Sequence, residues 1–497
     1  MNTMELLFQG IQACLNPTLL LLCAAGTFMG AIVGVLPGLG PATAIAILLP
    51  MIYGKPPLPA FITLAGIYYG AASGGSITSI ALNVPGESQS VVTCFDGYPL
   101  QKQGKGGKAM GIAILSSFLG GTVGLILLTA LATPLSKFAL KFGPQEYFAV
   151  YVFTFIAIIC IGKMDVRKGF ISLFFGLLIS AIGQDTGTGV PRLDFGIIYL
   201  WGKVEFIPVA VGLLGLSEII LSITEDMVYV ESDNTYKLKD IFPTIKELIF
   251  CLPSMIRGTI VGFFTGVLPG AGGTIATMLT YKLEEQVASD RKNFGKGSLQ
   301  GVAGPEASNN SCAMGAFVPT FSLGIPGSGT TAILLGALVM VGLQPGPRLF
   351  LRDSEFVWGV IGSMYIGNTM LVVQCLLLIP LFLWLLKISQ KTIPIIVGIL
   401  CIIGTYSVQN SLFDVGLMFF FAIIGLFFKT LDFPLSPFLI AVILGFDLEL
   451  RFLQTIQICK GNISLIFTRP IVFVLFIASI AMFVIPISKW MRSKKVR

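Results

Sequence analysis

Four segments of this chain combine residue types that can expose backbone chemistry inside an otherwise apolar sequence. They are Val35-Leu36-Pro37-Gly38-Leu39-Gly40-Pro41, Asn83-Val84-Pro85-Gly86-Glu87-Ser88, Val267-Leu268-Pro269-Gly270-Ala271-Gly272-Gly273 and Gly324-Ile325-Pro326-Gly327-Ser328-Gly329-Thr330. Proline removes a backbone donor and glycine permits left-handed dihedrals, so a helix entering any of them must break. In hydrocarbon, unpaired backbone groups are costly, and such backbone survives only inside protein or along a wet cavity. Thr43 and Thr274 follow the first and third breaks, where new helices can start. Free amides at a helix N-terminus suit an anion. Ser88, Ser328 and Thr330 can cap helices that follow the second and fourth breaks. Ser76, Thr78 and Ser79 in one half, and Thr320 and Ser322 in the other, add hydroxyls beside them. Amides converging there suit carboxylates, whereas carbonyls, hydroxyls and side-chain amides suit a sodium ion.

Gly304-Pro305-Glu306-Ala307-Ser308-Asn309-Asn310-Ser311 carries polar groups into an apolar run. Such groups are expensive in a membrane and mark function more often than in a soluble chain. Asn309 and Asn310 are therefore site candidates, against the blander reading of a helix-start cap at the interface. The turn-rich stretch Gly183–Gly189 reads as a membrane-edge loop. Arg348 and Arg352 read as interface anchors before they read as substrate contacts at a mouth. There is no histidine, and the nine cysteines are scattered without a CxxC pair. No metal site or disulfide framework is expected.

The breaks belong to a duplication. Residues 26–44 and 258–276 are identical at ten of 19 ungapped positions, at an offset of 232 residues from Pro37 to Pro269. Residues 77–86 (ITSIALNVPG) and 318–327 (VPTFSLGIPG) repeat at an offset of 241, from Pro85 to Pro326. Gly304–Ser311 has no evident mate. Gly26, Gly30 and Gly34, and likewise Gly258, Gly262 and Gly266, fall on one helix face, which predicts close helix packing. Two related halves with matched discontinuous segments are the signature of a secondary transporter.

The positioning elements must be membrane helices. Of the 497 residues, 55% are hydrophobic and only 11% charged, with a mean hydropathy of +0.88. Ordinary soluble domains carry about 25% charged residues. This excludes a water-soluble enzyme, a nucleic-acid binder and a disordered chain. The net charge of +7 fits basic cytoplasmic loops. Apolar runs of helix length predict an all-α polytopic membrane protein with about 10–13 embedded helical segments, some only half-spanning. Residues 1–17 read as an interfacial segment, 18–223 as the first repeat, 224–254 as a polar connector, 255–488 as the second repeat and 489–497 as a basic tail. The tail and the Lys102–Lys108 loop contain no acids, so the positive-inside rule makes both cytoplasmic. The acidic 224–254 stretch reads as external. Comparing these loops with the charged Lys282–Lys296 loop favours inverted repeats. The run 311–342 is long enough for a hairpin.

Several stretches resemble the large membrane subunit of bacterial tripartite tricarboxylate transporters. They are GVLPGLGPATAIAILLP (34–50), the run YYGAASGG to GGKAMG (68–111), GQDTGTGVPRLDFG (183–196), GVLPGAGG (266–273), GVAGPEASNNS (301–311), LGIPGSGTTAILLGAL (323–338), GLQPGPRLF (342–350) and WGVIGSMYIGN (358–368). They span nearly the whole chain in order. The family usually has proline after the aspartate of the 183–196 segment and Phe-Thr-Phe after its arginine. Here Thr186 and Leu193-Asp194-Phe195 stand instead. The resemblance implies a secondary carrier of citrate or related carboxylates in the bacterial inner membrane, coupled to an ion gradient. It implies two partners, a small four-helix membrane subunit and a periplasmic substrate-binding protein. Sodium is the favoured coupling ion, because no buried base stands out beside the hydroxyl and amide oxygens. Another organic anion, such as an aromatic carboxylate, is the alternative cargo. An intramembrane enzyme would need clustered aspartates, a Ser/His pair or a metal site, and a passive channel would not need duplicated broken helices. The longest polar stretch is too short to fold as a receptor domain, so collection of dilute substrate is expected to fall to a separate soluble protein.

Overall fold

The computed structural model describes residues 3–36, 38–161, 164–185, 187–224, 238–385 and 392–494. Pro37, Thr186 and the acidic residues Glu225, Asp226, Glu231 and Asp233 lie outside the described residues. The first half holds α1 (Thr3–Cys14), α2 (Pro17–Val35), α3 (Pro41–Ile52) and α4 (Pro57–Leu82), then α5 (Val91–Lys102) and α6 (Gly106–Ala139). Next come α7 (Pro144–Ile161), α8 (Val166–Ser180), and α9 (Phe206–Ala210) continuing through a π-helical turn into α10 (Ser217–Thr224). The short α11 (Leu238–Ile241) leads to α12 (Ile245–Val267), α13 (Gly272–Val287), α14 (Leu299–Leu323) and α15 (Gly329–Met340). The remainder is α16 (Pro347–Arg352), α17 (Ser354–Leu385), α18 (Thr392–Gln409), α19 (Leu412–Thr430), α20 (Leu435–Ile458) and α21 (Pro470–Lys494). Among the described residues the only sheet is a two-residue hairpin, β1 (Gly183–Gln184) with β2 (Pro191–Arg192).

This is an all-α polytopic membrane protein. Among the described residues seven helices are long and apolar enough to cross a membrane, with four shorter apolar helices beside them. That agrees with the expected number of embedded segments. The run 311–342 is indeed divided, by the break between α14 and α15.

The small-residue stripes set the helix packing. Gly26, Gly30 and Gly34 of α2 lie against the backbone of Thr63, Ile67 and Ala71 in α4. Gly258, Gly262 and Gly266 of α12 lie in the same way against Gly304, Ser308 and Cys312 of α14. A Cβ at Gly34 would stand 2.2 Å from the Ala71 carbonyl oxygen, and one at Gly262 2.2 Å from that of Ser308. Without a hydrophobic drive between helices in lipid, this close approach is what holds such pairs together. The long helices then cross between halves. α6 of the first half packs chiefly on α14, and α17 of the second packs on α1, α2 and α4. Almost every residue of α4 and α14 is buried. Shielded from lipid, these two helices can hold serines, asparagines and glutamate.

The halves are inverted relative to each other. α12 starts beside the basic loop, where Lys108 pairs with Glu247 at 2.8 Å. α13 ends just before residues 288–298, and there Gln103 Nε2 donates to the Lys296 carbonyl at 2.7 Å. The α12–α13 hairpin therefore has both ends on the face of the Lys102–Lys108 loop. α6 has 34 residues, about 50 Å at a rise of ~1.5 Å per residue, and so reaches the other face. There its end, Ala139, lines one cavity with Tyr53, which follows α3, and Gly342, which follows α15. The α2–α3 hairpin is rooted on that opposite face. α21 begins there too, where Arg469 approaches Glu146 at 3.7 Å, and its 25 residues return to the basic face.

One expectation is overturned. The described part of the acidic stretch, 238–254, lies on the same face as the basic loop, not across the membrane from it. Ile241 packs on Gly111, and Glu247 both caps α12 and binds Lys108. Charge sign misled because acids weigh little in topology. Single cysteines at Lys108 and Glu247 should react with an impermeant maleimide from one side, and one at Gln344 only from the other. Labelling of 108 and 344 from one side would refute this arrangement.

Candidate functional site

Each of the four breaks ends one helix and starts another. α3 begins after Gly40 and α13 after Ala271. A 3-10 turn, Ser88–Ser90, begins after Glu87 and leads into α5, and α15 begins after Ser328. α4 and α14 end on left-handed residues, Asn83 with φ 60° and Gly324 with φ 71°. Beyond them the chain doubles back, which brings Glu87 against Gly75 and Gly327 against Ala316. Glu87 with Ser90 and Ser328 with Thr331 both form capping boxes. These pairs are one motif repeated at the 241-residue offset. In the second half the two breaks also bond directly, Gly270 N–H to the Gly327 carbonyl at 3.1 Å.

The halves meet through two reciprocal contacts. Asn309 Nδ2 on α14 donates to Glu87 Oε1 at 3.1 Å. Tyr68 Oη on α4 lies 3.3 Å from Ser328 Oγ. Tyr68 and Asn309 are separated by 241 residues, as are Glu87 and Ser328. Each central helix thus touches the cap of the opposite half from the same position. Gly304–Ser311 therefore has a mate after all, Thr63–Gly70 (TLAGIYYG). It escaped notice because Tyr68-Tyr69 and Asn309-Asn310 share no chemistry, only their place.

The tip of the α12–α13 hairpin closes the cluster. Gly273 lies against Gln89 Oε1 and Asn309 Oδ1, so close that a Cβ would stand 1.5 Å from the former. Thr277 Oγ1 donates to the Gln89 carbonyl at 3.1 Å, and Thr274 Oγ1 lies 3.4 Å from Ser88 Oγ. Gln89 Nε2 reaches Glu87 Oε2 at 3.4 Å, and Ser73 Oγ donates to Asn310 Oδ1 at 3.2 Å. Asn309 Oδ1, Asn310 Nδ2 and Tyr69 Oη are buried without a hydrogen-bond partner among the described residues. Buried polar groups of this kind are normally bonded; the two asparagine atoms lie at the junction, whereas Tyr69 Oη is turned away from it towards Cys23 and Gly367. Below them Glu306 Oε1 binds Thr93, and its Oε2 accepts from Ser117 at 3.3 Å.

The structure sorts the sequence candidates. Gly86, Ser88, Gly273, Thr274, Asn309, Asn310 and Ser328 come together at this junction, with Pro85, Gly270, Gly272, Pro326 and Gly327 shaping the breaks. The cap reading of Asn309 and Asn310 fails, since both lie mid-helix and are wholly buried. Thr43 and Thr330 are buried in the first turns of α3 and α15. Gly40 precedes α3 in open space, and a Cβ at Gly38, where φ is +88°, would meet only the Glu218 side chain, at 3.6 Å. Thr78 lies against Gly86, but the hydroxyls of Ser76 and Thr78 are turned back onto α4. They bond carbonyls of their own helix, Ser73 at 2.8 Å and Gly75 at 3.3 Å. Asn83 is an exposed C-cap. Pro37 lies outside the described residues. The sequence reading missed Glu87, Glu306, Gln89 and Tyr68. The signal was there, for acids within so apolar a chain are rarely idle. In the 183–196 loop, Arg192 joins Asp185 to Glu449. The Thr188 amide and hydroxyl and the Gly187 amide hold the Asp185 carboxyl below the usual range.

The model of the tripartite tricarboxylate transporter TctA family matches residues 20–440. The chain belongs to that family. A protein of Agrobacterium vitis described as "Uncharacterized 52.8 kDa protein in TAR-I ttuC' 3'region" is 36% identical over 100% of this chain and 98% of its own length. A second, "Uncharacterized protein in TAR-II ttuC' 3'region" of the same organism, is 35% identical over 42% of this chain and 87% of its own length. No solved structure matches. The TctA-family assignment makes this a tricarboxylate transporter subunit. Asn309→Ala should weaken carboxylate binding about tenfold or more, ~1.4 kcal/mol, as for a lost buried hydrogen bond. Unchanged binding by calorimetry would remove Asn309 from the site.

Proposed function

We propose that this TctA-family chain moves citrate or a related di- or tricarboxylate across the bacterial inner membrane by alternating access, coupled to a cation gradient. The observation that carries this reading is the reciprocal junction, Asn309 with Glu87 and Tyr68 with Ser328, between two inverted half-chains. Inverted repeats can exchange conformations about one central site. The helix N-termini after the breaks offer amides to substrate carboxylates.

Coupling follows from Glu87. A carboxylate held about 4 Å from it would be repelled by ~4 kcal/mol at an effective dielectric constant near 20. A cation must accompany the anion. Sodium is the proposed partner, held by Glu87 with Gln89 Oε1 and Asn309 Oδ1, hard oxygen ligands with no histidine or thiolate among them. Protonation of Glu87 is the competing means, and it is one outcome of the test below.

The basic face, with Lys102, Lys105 and Lys108 and the return of α21, is proposed as cytoplasmic, by the positive-inside rule. Residues 18–223 and 255–488 then act as the two repeats. The small membrane subunit and a periplasmic binding protein complete the assembly. The binding protein must dock on the face bearing the 183–196 loop, not on the acidic stretch. Another organic anion, such as an aromatic carboxylate, remains the alternative cargo.

The test is uptake of labelled citrate by proteoliposomes, under sodium or proton gradients, with and without a cognate binding protein. Sodium-driven uptake that needs the binding protein at micromolar substrate is expected. Full-rate uptake by the lone chain, or uptake driven by protons without sodium, would reject the corresponding part. Failure with citrate but transport of another carboxylate would change the cargo only.

A further inference from the structure

On the face opposite the basic loop, a cavity of about 1230 Å³ runs inward to Leu323 and Gly324, at the fourth break. Its wall carries Lys203, Arg348 and Arg451 against only two acids, Glu205 and Asp447. Among the described residues none of these three cations has a carboxylate within ion-pair distance. Arg451 on α20 lies over the Tyr147 ring, 5.3 Å from its centroid. Its Nη1 bonds Gln454 Oε1 at 3.0 Å, while its Nε is buried with no partner. Arg348, on α16, lines the same cavity wall as Tyr147. Two guanidinium groups from separate helices therefore face one cavity, and Arg451 has a donor to spare.

We propose that this vestibule is a second, outer carboxylate site, where Arg348 and Arg451 hold a polycarboxylate before it passes to the central junction. The ligand class rests on the carrier reading given above. Guanidinium recognises carboxylate through paired N–H donors. The volume exceeds the ~300–1,000 Å³ of ordinary small-ligand pockets, so the outer site binds loosely and by charge. Its work is to raise local anion concentration and speed capture, which depends on ionic strength. Asp447, beside Arg451, keeps the anion from settling too firmly.

The experiment compares wild type, Arg348→Gln/Arg451→Gln, and Arg352→Gln. Arg352 is exposed on the same short helix, outside the cavity wall. Citrate uptake is measured with the partner subunits at about 0.01 M and about 0.3 M salt. The double variant should raise the half-saturating citrate concentration by about fivefold or more at low salt, lowering the maximal rate less, and should flatten the salt dependence. Arg352→Gln should behave as wild type. Salt dependence unaltered in the double variant, or an equal loss in Arg352→Gln, overturns the proposal. Calorimetric titration of the purified chain with citrate at low salt gives a readout independent of transport. Loss of a weak, salt-sensitive binding component in the double variant alone supports the outer site, and its retention rejects it. A wild type that moves no carboxylate at all would instead overturn the carrier reading, with the titration still deciding the vestibule.

Discussion

Glu87→Gln should abolish sodium-driven accumulation of substrate while leaving substrate exchange. Glutamine keeps the shape and can still meet Asn309, whose Nδ2 lies 3.1 Å from Glu87 Oε1, but it carries no charge. The ~4 kcal/mol repulsion between a carboxylate substrate and Glu87 then disappears, and with it the need for a cation. That energy corresponds to about a thousandfold in affinity. Substrate should bind without sodium, and the accumulation ratio should fall to about one. Glu87→Ala should fare worse, because it also removes a helix cap worth about 1 kcal/mol and leaves Asn309 without its partner. The measurement is gradient-driven uptake against counterflow in proteoliposomes. Accumulation by Glu87→Gln at the wild-type level, still sodium-dependent, would dismiss Glu87 as the coupling group.

Gly86→Ala should inactivate the carrier and lower its thermal stability. A methyl there would stand 1.9 Å from the Gly34 carbonyl oxygen and 2.7 Å from Thr78 Oγ1. The first neighbour is backbone on α2 and cannot swing aside. Overpacking of this kind costs about 1–3 kcal/mol, and here it also displaces Glu87, the next residue. Its mate Gly327, whose Cβ would stand 2.6 Å from the Gly266 oxygen, should show the same loss in milder form. Gly40→Ala is the contrast, because that position faces open space. It should insert, fold and transport with at most a small deficit. The readouts are melting by fluorescence and citrate uptake. A Gly86→Ala protein with wild-type uptake would mean that the second break moves freely and does not hold the site.

The helix breaks could be read from sequence because proline and glycine act locally, and the duplication because its motifs sit at fixed offsets. The faces could not. Whether 238–254 shares a side with Lys108 depends on how many helices cross between them, and interrupted hairpins defeat such a count. Ser76 and Thr78 looked available because a sequence does not show a hydroxyl bonded back to its own helix. Within its motif Glu87 is overshadowed by the helix-breaking glycine beside it. Its meaning arises from Asn309, 222 residues away, on a helix whose mate carries Tyr-Tyr where this one has Asn-Asn.

α14 is almost wholly enclosed, and it carries Glu306, Ser308, Asn309, Asn310 and Ser311 within less than two turns. Such a segment has little tendency to leave the translocation machinery for lipid by itself. It can settle only once α6 and α12, its main neighbours, have made a slot lined with their own small residues. Biogenesis of the chain is therefore expected to be ordered, with α6 and α12 in place before the working helix settles. Damage to the glycine stripes of α12 would then strand α14 outside the bilayer and expose the chain to membrane proteases, before transport ever came into question.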